Sequence, residues 1–234
     1  SANLAIDMQY NHLDADGTDM FNVGFVQPRR YTVLSAAATS VRIQRLKVQG
    51  NVLYTFVTDE SARNKAVATD KNIFTPTIVA SYKPFVKSDL ELRAFYKKIF
   101  RMPTFNDLYY VQIGNRLLKP EYTTQYNLGI VYNKSFDKAD AYYNRVTDKI
   151  IATPTSNQLV WTMVNLGYVE IKGVDVGITQ GFKFDQVIFN TRLNYTYQTA
   201  KDLTPEKDSG GSGGSDHTEN FFGHQIPYIP WHSG

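Results

Sequence analysis

The chain contains no cysteine, which excludes disulfides, thiolate metal sites and cysteine nucleophiles. No apolar run approaches the roughly 20 residues that a membrane-spanning helix needs. The formal net charge of +3 is small and no basic run stands out, so nucleic acid is excluded as a partner. The four histidines, His12, His217, His224 and His232, share no metal-ligand spacing. There is no nucleophile elbow, no phosphate-cradling glycine loop and no His-Glu zinc motif, so nothing argues for an enzyme or for a cofactor. "SANLAID" opens the chain without a signal-peptide pattern, as a fragment of a longer protein would.

What is abundant is tyrosine and phenylalanine, 16 and 14 residues against 2 tryptophans and 9 prolines. Tyrosine at this level is a strand residue and an interface residue. It falls in a period of two. Leu46, Val48, Val52, Tyr54 and Phe56 alternate with Lys47, Gln49, Asn51 and Thr55. Val187, Phe189, Leu193, Tyr195 and Tyr197 alternate with Ile188, Asn190, Arg192, Asn194 and Thr196. Val174, Val176, Ile178, Phe182 and Phe184 repeat the pattern, as do Tyr126, Leu128, Ile130 and Tyr132. The alternation predicts an all-β chain of about nine strands, near 3–13, 29–44, 46–58, 73–85, 89–100, 123–135, 138–147, 168–184 and 186–199. No amphipathic helix of useful length is expected.

Connection lengths alternate as well. Short ones are expected at Gln44–Leu46, Val86–Asp89, Phe136–Lys138 and Phe184–Gln186. Long ones are expected at Asp14–Pro28, Thr58–Lys71, Arg101–Tyr122, Arg145–Gly167 and Thr199–Pro227. In an antiparallel meander this puts every long loop at one end, the layout of an outer-membrane up-and-down barrel. The competing reading is a soluble all-β binding module, a carbohydrate-binding sandwich for example, whose apolar faces cover each other. Within the last long loop, "SGGSGGS" (Ser209–Ser215) has the composition of a flexible linker, native or engineered.

"FRMPTFNDLYYVQIGNRLLKPEY" (Phe100–Tyr122) has neither period. Irregular segments this long are uncommon in ordered domains unless they are functional. Arg101, Asn106, Asp107 and Asn115 offer hydrogen bonds, and Phe105, Tyr109 and Tyr110 offer flat amphipathic surface, a mixture suited to capturing a bulky polar ligand. Packing of the same aromatics against a rim is the plainer alternative. Asp14, Asp16 and Asp19 in "DADGTD" form a weak calcium candidate, since no bidentate glutamate follows at EF-hand spacing. "NKS" at Asn133 and "NYT" at Asn194 match the glycosylation pattern but fall on predicted strands.

The stretch also resembles a known family. "FRMPTFNDLYY" followed by "GNRLLKPEYTTQYNLGIVY", then "AYYNRVTDKIIA" (Ala141–Ala152), "NLGYVEIKGVDV" (Asn165–Val176) and "QIPYIPWHSG" (Gln225–Gly234), are similar to the ordered motifs near the end of TonB-dependent outer-membrane transporters, in the style of the Bacteroidetes branch. Residues 1–99 match only in strand rhythm and in "TPTIVASYKPF". The resemblance implies part of a transmembrane barrel that has about 22 strands when complete. It also implies contact with outer-membrane lipid, uptake of a large scarce nutrient (iron chelate, haem or cobalamin class), and energy from the TonB complex through a plug domain. Neither plug nor energy-coupling box occurs in this sequence, and about five family strands are expected beyond "HSG".

Overall fold

The computed structural model describes residues 1–14, 26–61, 67–110, 113–132, 137–154, 161–184, 187–203 and 232–233. Its strands are β1 (Ala2–His12), β2 (Pro28–Ile43), β3 (Leu46–Ser61), β4 (Lys71–Tyr82) and β5 (Leu90–Arg101), followed by β6 (Glu121–Tyr132), β7 (Asp137–Pro154), β8 (Trp161–Phe184), β9 (Val187–Asp202) and β10 (His232–Ser233). They form a single sheet in the order β1 to β10, each pairing antiparallel with the next. β1 and β10 are its two edges, so the sheet is open in this chain. One short helix, α1 (Phe105–Tyr109), interrupts the meander between β5 and β6.

The registers carry one apolar face across the whole sheet. Tyr96, Tyr126 and Tyr143 are successive cross-strand partners, and so are Ala94, Leu128, Ala141, Val174 and Tyr197. Leu92, Ile130, Ala139, Val176 and Tyr195 form the next row. Asn190, Arg192 and Asn194 fall on the opposite face with Gly181, Thr179 and Gly177 as partners. Among the described residues no second sheet covers the apolar rows: Leu4 is 86% exposed, Ile6 71% and Leu193 62%. A sandwich would bury those side chains, so the soluble two-sheet alternative fails. Lipid is the solvent that tolerates them. Tyr126 and Tyr132, on one strand, stand about 20 Å apart with Leu128 and Ile130 between them. That spacing suits aromatic girdles at the two borders of a hydrocarbon layer.

Close packing across the polar face uses glycine. The Tyr142 ring lies over Gly173, where any β-carbon would collide with the phenol. Tyr142 extends further, its hydroxyl donating to Gln198 Oε1 at 3.3 Å.

Two local features shape the end that carries the long connections. The β4–β5 ladder runs only from Tyr82↔Leu92 to Thr77↔Lys97 and stops at Pro76, which has no N–H to donate. Beyond that point β4 remains paired with β3 alone and β5 with β6 alone. In β7, Asp148 adopts a left-handed φ of 53°, and the β7–β8 ladder skips it before resuming at Lys149↔Leu166. The expected loop Arg145–Gly167 is therefore mostly strand. β7 continues to Pro154 and β8 starts at Trp161, so only 155–160 lie between them. Similarly, β3 runs to Ser61 and β9 to Asp202, trimming two other expected loops. Strands of 16 to 24 residues exceed the roughly 9–11 needed to cross a bilayer, so these hairpins stand well above the apolar band.

The alternation makes a facing prediction. In refolding titrations of the intact barrel, Leu193→Arg is expected to cost about 2–4 kcal/mol near the midplane, whereas Asn194→Arg on the polar face costs little. Equal costs at both positions would contradict the lipid-facing assignment.

Candidate functional site

The segment between β5 and β6 folds into a compact knob on the polar face. Pro103 is fully buried, and Thr104 begins α1 with a reciprocal cap: its hydroxyl accepts from Asp107 N while Asp107 Oδ2 accepts from Thr104 N at 2.9 Å. After the helix the chain doubles back tightly. Gly114 N donates to Tyr110 O at 2.7 Å and Asn115 N to Asp107 O at 2.8 Å. A β-carbon on Gly114 would lie 2.6 Å from both Tyr110 N and Tyr110 O, so the return requires glycine.

A buried ion pair anchors the knob. Arg30 Nε and Nη2 donate to the two Asp59 carboxylate oxygens at 2.6 and 2.8 Å, a bidentate fork across the β2–β3 ladder. Arg30 Nη1 donates to Pro103 O at 2.8 Å, and the guanidinium sits 5.0 Å from the Phe105 ring centroid. The Tyr109 hydroxyl donates to Asp59 Oδ2 at 3.1 Å and accepts from Ala68 N at 3.0 Å. Each guanidinium nitrogen of Arg30 therefore donates a hydrogen bond, which is the condition under which burying a charge is tolerable. Burial pushes the Tyr109 phenol up to about 12; the Asp59 charge adds to this, and the Ala68 N–H and Arg30 pull the other way.

Next to this pair lies a small apolar core drawn from three long connections and from strands β7 and β8. Val26, Leu108, Tyr109, Leu118 and Ile150 are buried, with Leu13, Val67, Ala68, Phe105 and Met163 packed against them. The described flanks of the β1–β2, β3–β4 and β5–β6 connections share one end, as strand parity requires. Polar clamps tie the knob to the β7–β8 hairpin. Asn115 Nδ2 donates to Met163 O at 3.0 Å, and Met163 N donates to Ile113 O at 2.9 Å. Asn165 accepts from Lys119 N and donates to Lys119 O and Asp148 O at 2.9, 3.0 and 2.7 Å. Glu121 Oε2 accepts from Ile150 N at 3.0 Å. The motifs at 100–122, 141–152 and 165–176 thus meet in space, and their shared polar residues are the clamps.

Six of the residues singled out in this loop separate into two groups. Tyr109 is 4% exposed and holds Asp59, Phe105 packs under Arg30, and Asn115 is spent on backbone groups. These three are placed as scaffold, and the plainer packing alternative describes them. Arg101, Asn106 and Tyr110 face outward; Arg101 lies 3.6 Å from Asp107 and 3.5 Å from Glu121 at a side-chain exposure of 47%. Arg30 and Asp59 were missed by reading the loop alone. Counting back equally along both strands from the two-residue turn at Gln44–Arg45 would have paired them. Of the calcium candidates, Asp14 accepts from Gln27 Nε2 at 2.6 Å, while Asp16 and Asp19 lie outside the described residues. Among the described residues no cluster of three metal-ligating side chains occurs. Ser209–Ser215 also lies outside them.

A one-sheet wall with an apolar face, a polar face and a rim loop folded onto the polar face defines a segment of a transmembrane β-barrel. The family profile described as TonB dependent receptor-like, beta-barrel, matches residues 1–234, and the chain belongs to that family, whose barrels reside in the outer membrane. Among curated relatives, the vitamin B12 transporter BtuB of Vibrio vulnificus is 38% identical over 79 residues, covering 33% of this chain and 13% of that protein. The vitamin B12 transporter BtuB of Photobacterium profundum is 30% identical over 130 residues, 52% of this chain and 20% of that protein. The chain thus spans a fifth or less of the length of these relatives. Among solved structures, the copper transporter OprC aligns at TM-score 0.65 and 15% identity, over 76% of this chain and 30% of OprC. The FrpB iron transporter from Neisseria meningitidis (F3-3 variant) aligns at 0.63 and 13%, over 88% and 34%. At such identities these structures show the fold alone.

Two outcomes test the anchor. Asp59→Ala leaves Arg30 buried without its partner and is expected to cost the rim about 3–5 kcal/mol, read as accelerated trypsin cleavage at the exposed Arg116 of the knob. Tyr110→Ala is expected to leave that rate unchanged. Because the folded Tyr109 pKa lies above its ordinary value near 10, its packing contribution is complete below pH 10 and disappears as pH rises through about 12. A phenolate absorbance titration in which Tyr109→Phe removes a component with a midpoint near 12 checks this.

Proposed function

We propose that this chain is part of the wall and ligand-facing rim of a transporter that takes up a large, scarce nutrient across the outer membrane. The observation that carries the proposal is the family match over the whole chain, joined to a folded, aromatic-rich loop at the rim. Iron chelates, haem and cobalamin are the substrate classes we infer, in keeping with relatives named as vitamin B12 and iron transporters. Uptake against a gradient would draw on the TonB energy-coupling complex, engaged through a plug domain. The barrel contributes binding and a path and performs no covalent step.

Within the rim, ligand contact falls to the outward group, Arg101, Asn106 and Tyr110, supported from beneath by Tyr109, Phe105 and Asn115. Arg101 offers a charged fork and Tyr110 wide contact area at low rotamer cost. The buried group keeps the outward one in place. In the intact receptor, Arg101→Ala with Tyr110→Ala is expected to weaken nutrient binding by about tenfold or more, the loss of a typical aromatic or arginine anchor. Assembly, read as heat-modifiable migration on a gel, stays normal. Binding assays with a ferric chelate, haem and cobalamin in parallel decide the class. Unchanged affinity for whichever of the three binds would remove the outward residues from the site.

A further inference from the structure

The wall is not laced to the same height throughout. β4 and β5 pair from Tyr82↔Leu92 to Thr77↔Lys97 and no further. Both strands continue, since β4 begins at Lys71 and β5 runs to Arg101, which the same register would set opposite Ile73. Four more pairs, Pro76 to Ile73 against Lys98 to Arg101, are within reach and none forms. Every other neighbouring pair from β1 to β9 stays laced at this end to within one residue of the end of one of its strands. The seam begins just beyond the Tyr96–Tyr126–Tyr143 row, where water can meet the open peptide groups.

This seam divides the rim into two jaws. One is the β1–β4 side. The other is β5–β9 together with the knob, because the clamps at Asn115, Lys119 and Glu121 all run to β7 and β8. The hydrogen bonds from the knob to the first jaw converge on one cluster. Arg30 Nη1 donates to Pro103 O, and the Tyr109 hydroxyl donates to Asp59 while accepting from Ala68 N. With the small apolar core beside it, this cluster stands where the ladder is missing.

The surface under the clasp is not that of a permanent core. Arg30, Asp59, Thr55 and Thr75 are buried polar side chains on the inner wall. Thr55 lies on β3 between Leu34 and Ile73, is 1% exposed, and its hydroxyl has no partner among the described residues. A buried hydroxyl without a partner costs free energy that any state admitting water to it recovers.

We propose that the rim opens along the β4–β5 seam, with the Arg30–Asp59–Tyr109 cluster as the latch and the ladder from Tyr82↔Leu92 to Thr77↔Lys97 as the hinge. Opening widens the mouth and returns Thr55, Thr75 and the ion pair to water. Its use, admitting a bulky nutrient past the knob, rests on the uptake reading above.

The test reads two distances by double electron–electron resonance on the intact receptor in detergent, with spin labels on introduced cysteines, of which this chain has none of its own. Asn72→Cys with Thr124→Cys spans the seam on the outer face, and Arg116→Cys with Trp161→Cys lies within the second jaw. Asp59→Ala is expected to raise the population at longer seam distance by about tenfold or more, the loss of hydrogen bonds to a charged group. The Arg116–Trp161 distance stays as it was. Tyr109→Phe keeps the ion pair and removes only the hydroxyl, and is expected to shift the seam the same way by about threefold. Heat-modifiable migration reports which variants assemble, and Tyr109→Phe decides alone if Asp59→Ala does not. An unchanged seam distance in either assembled variant overturns the proposal, since the knob then lifts alone or not at all. Lengthening of both distances together overturns it as well, because the rim has then unfolded rather than opened. Neither distance involves a nutrient, so failure here is distinguishable from failure of the uptake reading.

Discussion

Everything in this molecule follows from the two-residue period of a paired antiparallel strand. In hydrocarbon an unpaired peptide group costs several kcal/mol, so only a wall whose strands satisfy one another can cross. Once strands pair, alternate side chains must face opposite solvents. Leu128 and Ile130 meet lipid because Asn127 and Gln125 then meet water, and one slip of register would exchange them. The row Ala94–Leu128–Ala141–Val174–Tyr197 shows this constraint kept over five strands.

That same constraint explains why the wall was readable from residues alone and the rim was not. Strand positions were legible because lipid and water impose opposite preferences on neighbouring residues, and β1, β2 and β5 begin and end within about one residue of where alternation puts them. Asp148 misled because aspartate beside lysine, followed by Thr-Pro-Thr-Ser-Asn, reads as a turn. The ladder absorbs Asp148 in a left-handed conformation and continues to Pro154. Local propensity yields there to cross-strand pairing, as it often does in sheets.

In the rim loop, composition is a poor guide because tyrosine serves equally well as a contact surface and as an amphipathic core residue. Tyr109 and Tyr110 are adjacent and chemically identical, yet the first is buried against Asp59 and the second is half exposed. The distinction rests on contacts distant in sequence, the Tyr109 hydroxyl meeting Asp59 and Ala68 across the rim. The motif residues are therefore best understood as those that specify the knob: Pro103 for its carbonyl, Thr104 and Asp107 for the cap, Gly114 for the close approach, Asn115 for the clamp.

The knob changes what the long loops can do. A loop tethered only at its ends samples many conformations and loses entropy on binding each ligand. Here one loop is fixed to β2 and β3 through Arg30 and Asp59, to the segment before β4 through Ala68, and to the β7–β8 hairpin through Met163 and Asn165. Three long connections and the β7–β8 hairpin thus share one small core beside the Arg30–Asp59 pair. A rim built this way presents an already ordered surface, so a molecule that docked on it would lose less entropy than on a loop tethered only at its ends. Such a rim is held at several points at once, by the buried ion pair, the small apolar core and the Asn115, Asn165 and Glu121 clamps.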